Sequence, residues 1–200
     1  YLGWGVNLRD HLNAGGLVVY PTSTLPGLGC LPIAEGLDNL YRTKNRPDTM
    51  PTSIGVASLE QAKEWAEIPG VVTEMLNDFP RGGITVILPA LQTLDKRLGG
   101  DSIAIRVFAH PAAIALAAEY GPITATSANP SGDEPECDTE IAAKVLGVEH
   151  YVPGLCPNGP GSTFVKLEKD TNSSVGWSLR IMREGVVPRN DVVEWWTNLT

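Results

Sequence analysis

Gly16-Leu17-Val18-Val19-Tyr20-Pro21-Thr22-Ser23-Thr24-Leu25-Pro26-Gly27-Leu28-Gly29 runs from a hydrophobic segment into a polar one without a break. Its first part, through Tyr20, is apolar, β-branched and closed by proline, which reads as a buried strand. From Pro21 to Gly29 it is rich in hydroxyls and turn formers and reads as a loop.

The pattern continues on both sides. Residues 8–14 have helical spacing and stop at Gly15-Gly16. Residues 35–44 place Leu37, Leu40 and Tyr41 on one face, so a helix is expected there, carrying Lys44 and Arg46 to its end before Pro47 stops it. Strands are expected at 53–56, 84–88, 103–107, 123–126, 164–167 and 178–182. Helices are expected at 59–68, 71–79, 111–120 and 139–146, the last capped by Asp138 or Thr139. Proline in the first turn of 111–120 costs little, because that N–H has no helical partner. The alternation is not strictly βαβ. It predicts an α/β fold, a twisted mixed sheet with flanking helices, and one domain over residues 1–200.

Composition sets outer bounds. Of the 200 residues, 42% are apolar and 19% charged, as in an ordinary folded globule rather than a disordered chain. The formal charge of −8 opposes a broad nucleic-acid-gripping face, which needs an excess of Lys and Arg. Cys30, Cys137 and Cys156 form no CxxC pair, so neither a zinc site nor a disulfide framework is indicated. No apolar run approaches the ~20 residues of a membrane span, and no signal peptide is recognised, so a cytoplasmic location is expected.

Common nucleotide signatures are missing: there is no GxxxxGK[ST] and no GxGxxG between a strand and a helix. His11, His110 and His150 are isolated and fit structural roles. Three segments stand out instead. Arg42, Lys44 and Arg46 would suit a polyphosphate, or a solvated helix end favoured by the dipole. Thr126 to Gly132 crowds hydroxyls and an amide after a strand, as a ligand loop or a capped turn would. Gly159-Pro160-Gly161-Ser162-Thr163 again presents hydroxyls before a strand. Arg106, inside an apolar strand, must find water or an anionic partner: a ligand carboxylate or phosphate, or a structural Asp or Glu.

In this order the segments resemble the YrdC/YciO family in its single-domain form. Residues 20–29 resemble the family's strand-PTxTxYGLG loop, and Lys44-Asn45-Arg46-Pro47 its KxRP motif. Ile105-Arg106-Val107 is similar to its VRxP strand, and Ser127-Ala128-Asn129 to SxN. Gly161-Ser162-Thr163 is similar to its serine-threonine loop, and Ile181 to Gly185 to its closing ILRxG element. The likeness spans residues 15–187.

The resemblance implies a concave cavity and a specific reaction. ATP, L-threonine and bicarbonate would give threonylcarbamoyl-adenylate and pyrophosphate, with Mg²⁺ accompanying ATP and no metal held by the protein. A separate tRNA threonylcarbamoyl transferase would receive the product and modify the adenosine beside the anticodon. It implies that Thr24, Arg106, Ala125 and Ser162 contact threonine. Lys44 and Arg46, the two residues given the catalytic role, would hold ATP together with Ser102, Ser127, Asn129, Pro135 and Arg183. The expectation is that Lys44→Ala and Arg46→Ala each stop turnover with little change in melting temperature. Weak RNA binding in the basic cleft, or another acceptor for the same chemistry, are the alternatives. The sequence departs from the family pattern at Ser23, at Pro26 (a family tyrosine) and at Gly55, where many members carry a histidine.

Overall fold

Val18, Val19 and Tyr20 pair as the β-branched run predicts, forming β1 (Val18–Tyr20), buried throughout. The computed structural model describes residues 6–200, so the reading of the extreme N-terminus falls on residues outside those described. The expected loop at 21–29 ends early. Gly27–Gly29 is a strand, β2, antiparallel to β1 with Tyr20 opposite Gly27. The reason lies in the Tyr20 ring, which covers both glycines: a Cβ at Gly27 would stand 2.6 Å from it, and one at Gly29 2.8 Å. The Tyr20 hydroxyl is fixed by donating to the Thr124 carbonyl at 2.8 Å. The Gly-Leu-Gly sequence makes room for an aromatic ring.

The second sheet has six strands and mixed pairing. Its order is β6 (Ile123–Thr124), β3 (Ile54–Val56), β5 (Ser102–Val107), β4 (Ile84–Pro89), β8 (Thr163–Lys169) and β9 (Trp177–Arg183). β3 with β5 and β4 with β8 are parallel, and the remaining pairs are antiparallel. The expected strand at 123–126 is divided between the two sheets. After β6 the chain crosses to β7 (Thr126–Ser127), which pairs with β2 to complete the three-stranded sheet. Ala125, at the crossing, donates to the Ser53 carbonyl, and the Ser53 hydroxyl donates back to the Ala125 carbonyl, each at 2.8 Å.

Helices flank these sheets: α1 (Val6–Asn13), α2 (Ala34–Lys44), α3 (Leu59–Ala62), α4 (Gly70–Asp78), α5 (Pro111–Tyr120), α6 (Thr139–Leu146) and α7 (Arg189–Leu199). Asp138 caps α6, its carboxylate accepting from the Glu140 and Ile141 N–H groups. The helix expected at 59–68 stops at Ala62, because the chain then bends to bridge Ala66 to Ala90. α7 was not among the expected helices, although Val192, Trp195, Trp196 and Leu199 recur at helical spacing: Val192 is buried, the other three pack against the core, and the Trp195 indole N–H donates to Asp78 at 2.7 Å.

The core has two parts. Ile54, Val86, Ile105 and Val165 of the large sheet pack with Leu37, Leu40 and Met75. Leu8, Leu12, Tyr20, Phe108 and Leu116 form the other. Among the described residues no helix is long and apolar enough to cross a membrane.

Candidate active site

The crossing at Ala125 leaves a cleft between the two sheets, with a cavity of about 220 Å³. One wall is the loop after β1. Its shape is set by Thr22, whose hydroxyl donates to the Leu25 carbonyl at 2.6 Å and accepts from the Thr24 N–H at 3.1 Å. This local bond folds the loop so that Thr24 faces inward. There the Thr24 hydroxyl accepts from Arg106 at 2.8 Å.

Arg106 is brought in by β5 and is 7% exposed. Its Nε donates to the Gly82 carbonyl at 2.9 Å, and the same guanidinium reaches the Ser23 hydroxyl at 3.3 Å. Ser23, one of the departures from the family pattern, thus supports the arginine. Gly82 adopts φ +75°, and a Cβ there would stand 2.5 Å from the Ser23 hydroxyl, so glycine is required on both counts. Burial pulls the pKa of Arg106 below its usual value, and Tyr20 partly offsets this.

Two more arginines line the cleft. Arg46, just past the left-handed Asn45 that ends α2, donates to the Met50 and Pro51 carbonyls at 2.8 Å each. Arg183, at the end of β9, donates to the Ser162 carbonyl at 2.8 Å and stacks 4.4 Å above the Phe164 ring. Its pKa is lowered by burial and then by Arg46, so the two cations feel each other. Among the described residues no carboxylate pairs with Arg46, Arg106 or Arg183, and none lines the cleft. The acidic protein therefore holds one focused positive pocket.

Ser162 completes the wall opposite Thr24; its hydroxyl bonds that of the buried Thr85 at 2.7 Å. Ser127 and Ala125 line the remaining side. Thr24, Arg46, Arg106, Ala125, Ser127, Ser162 and Arg183 are therefore gathered here as the sequence suggests. Four other expected residues are not on the wall. Lys44 is buried behind it, its ammonium donating to the Ser127 and Asn129 carbonyls. Burial, and then Arg46, lower its pKa to about 8. The Asn129 amide donates to the Pro130 and Asp133 carbonyls, while its Oδ1 is buried without a partner. Ser102, at the far end of β5, and Pro135 lie outside the cleft lining. Arg42 points away, bonded to Asn39 at 3.2 Å.

Sequence reasoning missed Tyr20, Thr22, Thr52, Ser53 and Phe164 in the lining. Thr22 was visible as the residue that could tie its own loop. Gly55 has a structural explanation: a Cβ there would stand 1.8 Å from the Phe108 ring, which fills the space. No cluster of three or more metal-ligating side chains occurs among the described residues.

The comparisons agree with this architecture. A family model named Sua5/YciO/YrdC and described as telomere recombination matches residues 10–185. The threonylcarbamoyl-AMP synthase of Aliivibrio fischeri is 37% identical over 144 residues, covering 68% of this chain and 78% of the relative. The solved structure of Pyrococcus abyssi Sua5 complexed with L-threonine superimposes with a TM-score of 0.80 at 28% identity. That match takes in 94% of this chain and 56% of the other, so this chain spans little more than half of the archaeal protein. Escherichia coli YciO superimposes with a TM-score of 0.75 at 25% identity, over 91% of this chain and 89% of that one. With the family model covering most of its length, the chain belongs to the Sua5/YciO/YrdC family.

Proposed function

We propose that this chain is a threonylcarbamoyl-AMP synthase, converting ATP, L-threonine and bicarbonate to threonylcarbamoyl-adenylate and pyrophosphate. The observation that carries this reading is Arg106, a buried cation with no carboxylate partner among the described residues, directed at hydroxyls in the cleft. A guanidinium cannot shed its proton, and leaving it buried without an anion is costly. The carboxylate of an amino acid satisfies it. Relatives named for this activity, and a structural neighbour complexed with L-threonine, favour threonine.

In this proposal Thr24, Arg106, Ala125 and Ser162 receive the amino acid. Arg46, Ser127 and Arg183 receive the nucleotide phosphates. Lys44 and Asn129 act from behind, holding the Ser127 loop in place. Ser102 and Pro135 are given no contact in the enclosed part of the cleft. A carbamate oxygen attacks the α-phosphorus and pyrophosphate leaves. Charge accumulates on phosphoryl oxygens, where fixed arginines stabilise it without a proton-transfer residue. With no carboxylate on the wall, Mg²⁺ would arrive chelated by ATP. The product would pass to a separate tRNA-modifying transferase in the cytoplasm.

Pyrophosphate release with ATP, bicarbonate and each amino acid in turn tests the proposal. Release that depends on threonine is expected; a folded sample without it rules the reading out. Phe108 over Gly55 favours one second reading, the same chemistry on a different acceptor. Release with another amino acid alone would support that instead.

A further inference from the structure

Cys137 and Cys156 are nineteen positions apart in sequence yet opposite each other in space, as two cross-strand partners are. Asp138 and Leu155 form an antiparallel bridge. Its two flanking hydrogen bonds are Cys156 N–H to the Cys137 carbonyl at 2.9 Å, and Thr139 N–H to the Gly154 carbonyl at 3.1 Å. Cys137 therefore faces Cys156 directly, with both side chains on one side of the ribbon. Facing residues of a hydrogen-bonded antiparallel pair have Cα atoms about 5.5 Å apart, within the ~4.4–6.8 Å that a disulfide spans. Both thiols are free, Cys137 half-buried and Cys156 buried. Burial raises the Cys156 thiol above its ordinary range, and Cys137 is close enough to add to that shift.

Cys156 is also bonded to the cleft. The Thr22 N–H, buried, donates to its Sγ at 3.4 Å. Thr22 in turn shapes the loop that holds Thr24 against Arg106.

We propose that Cys137 and Cys156 are a reversible oxidation site that controls the cleft through Thr22. The oxidant is a low-molecular-weight disulfide such as oxidised glutathione. The more accessible Cys137 loses its proton and attacks one sulfur of that disulfide, expelling a small thiolate that takes up a proton. Cys156 then loses its proton and attacks Cys137 Sγ, releasing the second small thiol. Two protein thiols become one disulfide, and the small disulfide becomes two thiols. Turning Cys156 Sγ toward Cys137 withdraws the acceptor from the buried Thr22 N–H, and the loop loses its tie. Fully buried Cys30 takes no part.

The test uses the whole chain equilibrated in oxidised or reduced glutathione, then alkylated and mapped as peptides. A 137–156 disulfide that reduced thiol reverses, with Cys30 still free, is expected. Its absence, or a disulfide involving Cys30, overturns the proposal. The effect on the cleft rests on the proposed activity, so it is read in two ways. Threonine-dependent pyrophosphate release is expected to fall roughly fivefold or more on oxidation, since one lost buried partner is worth about a factor of that size. Amide exchange at Thr22 is expected to quicken, whatever reaction the cleft performs. Cys137→Ser keeps the Thr22 bond, so it should retain basal release and respond to oxidation in neither assay. An oxidised protein with the disulfide but unchanged exchange at Thr22 removes the coupling. Absence of release in the reduced protein rejects the synthase reading alone.

Discussion

Lys44 and Arg46 sit two positions apart at the end of one helix and do different work. Lys44 is 1% exposed and fastens α2 to the loop after β7, whereas Arg46 lies on the cleft wall. The expectation that both substitutions spare stability is therefore narrowed to Arg46, and Lys44→Ala is predicted to destabilise. Lys44→Ala leaves two carbonyls unsatisfied and a void where the stem lay, costing about 3 kcal/mol. For a chain of this size that is a loss of roughly 6–12 °C in melting temperature. Arg46→Ala should leave the melting temperature within a few degrees and reduce nucleotide-dependent turnover at least ~10-fold. Thermal melts beside pyrophosphate assays separate the two. Equal melting temperatures for both variants would return Lys44 to the wall. The sequence showed three cations in a row; it could not show that the αL turn at Asn45 sends Lys44 inward and Arg46 toward the cleft.

Between elements, two stacked histidines join α1 to β1. His11, on α1, stacks on His150 with ring centroids 3.9 Å apart, and its Nε2 donates to the Leu17 carbonyl at 3.0 Å. The His150 carbonyl accepts from Val19 N–H of β1 at 3.0 Å, so the pair clamps β1 from outside. Burial, and then His11, lower the pKa of His150. A lowered folded-state value means that the unfolded chain binds the proton more readily. The stabilising contribution is thus full above the unfolded value of ~6.5 and is lost as pH falls below it. Between about pH 7.5 and about pH 5.5 the melting temperature should drop further in the native chain than in His150→Gln. Identical drops would show that other groups carry the acid sensitivity. Sequence spacing left these histidines isolated, because only the return of the chain at Tyr151, which bridges to Val19, brings the rings together. The same holds for β2 and β7, too short to show a period of two.

Across the whole molecule, a net charge of −8 surrounds a cleft walled by three arginines. Nucleotide binding should weaken as salt rises from about 0.05 M to about 0.5 M, because screening acts on the exposed part of the cleft. Titration of ATP at several ionic strengths reads this slope. A flat response would place the phosphates elsewhere. Duplex RNA, repelled by the rest of the surface, should bind more weakly than ATP at the same salt. At this scale the sequence was most informative: the order of strands and helices gives the mixed α/β architecture, and short hydroxyl-rich and arginine-bearing segments mark the cleft. What it could not contain is the division of the sheet at Ala125, which depends on Ser53, seventy-two positions away.

Tyr20 sits where the two sheets meet, with Gly27 and Gly29 beneath its ring. Added bulk at either glycine collides with the ring, and a smaller residue at position 20 leaves a hollow and an unmet carbonyl at Thr124. Each single change loses stability before a second can restore it. These three positions are therefore expected to change only together, so sequences that replace Tyr20 should also replace Gly27 or Gly29.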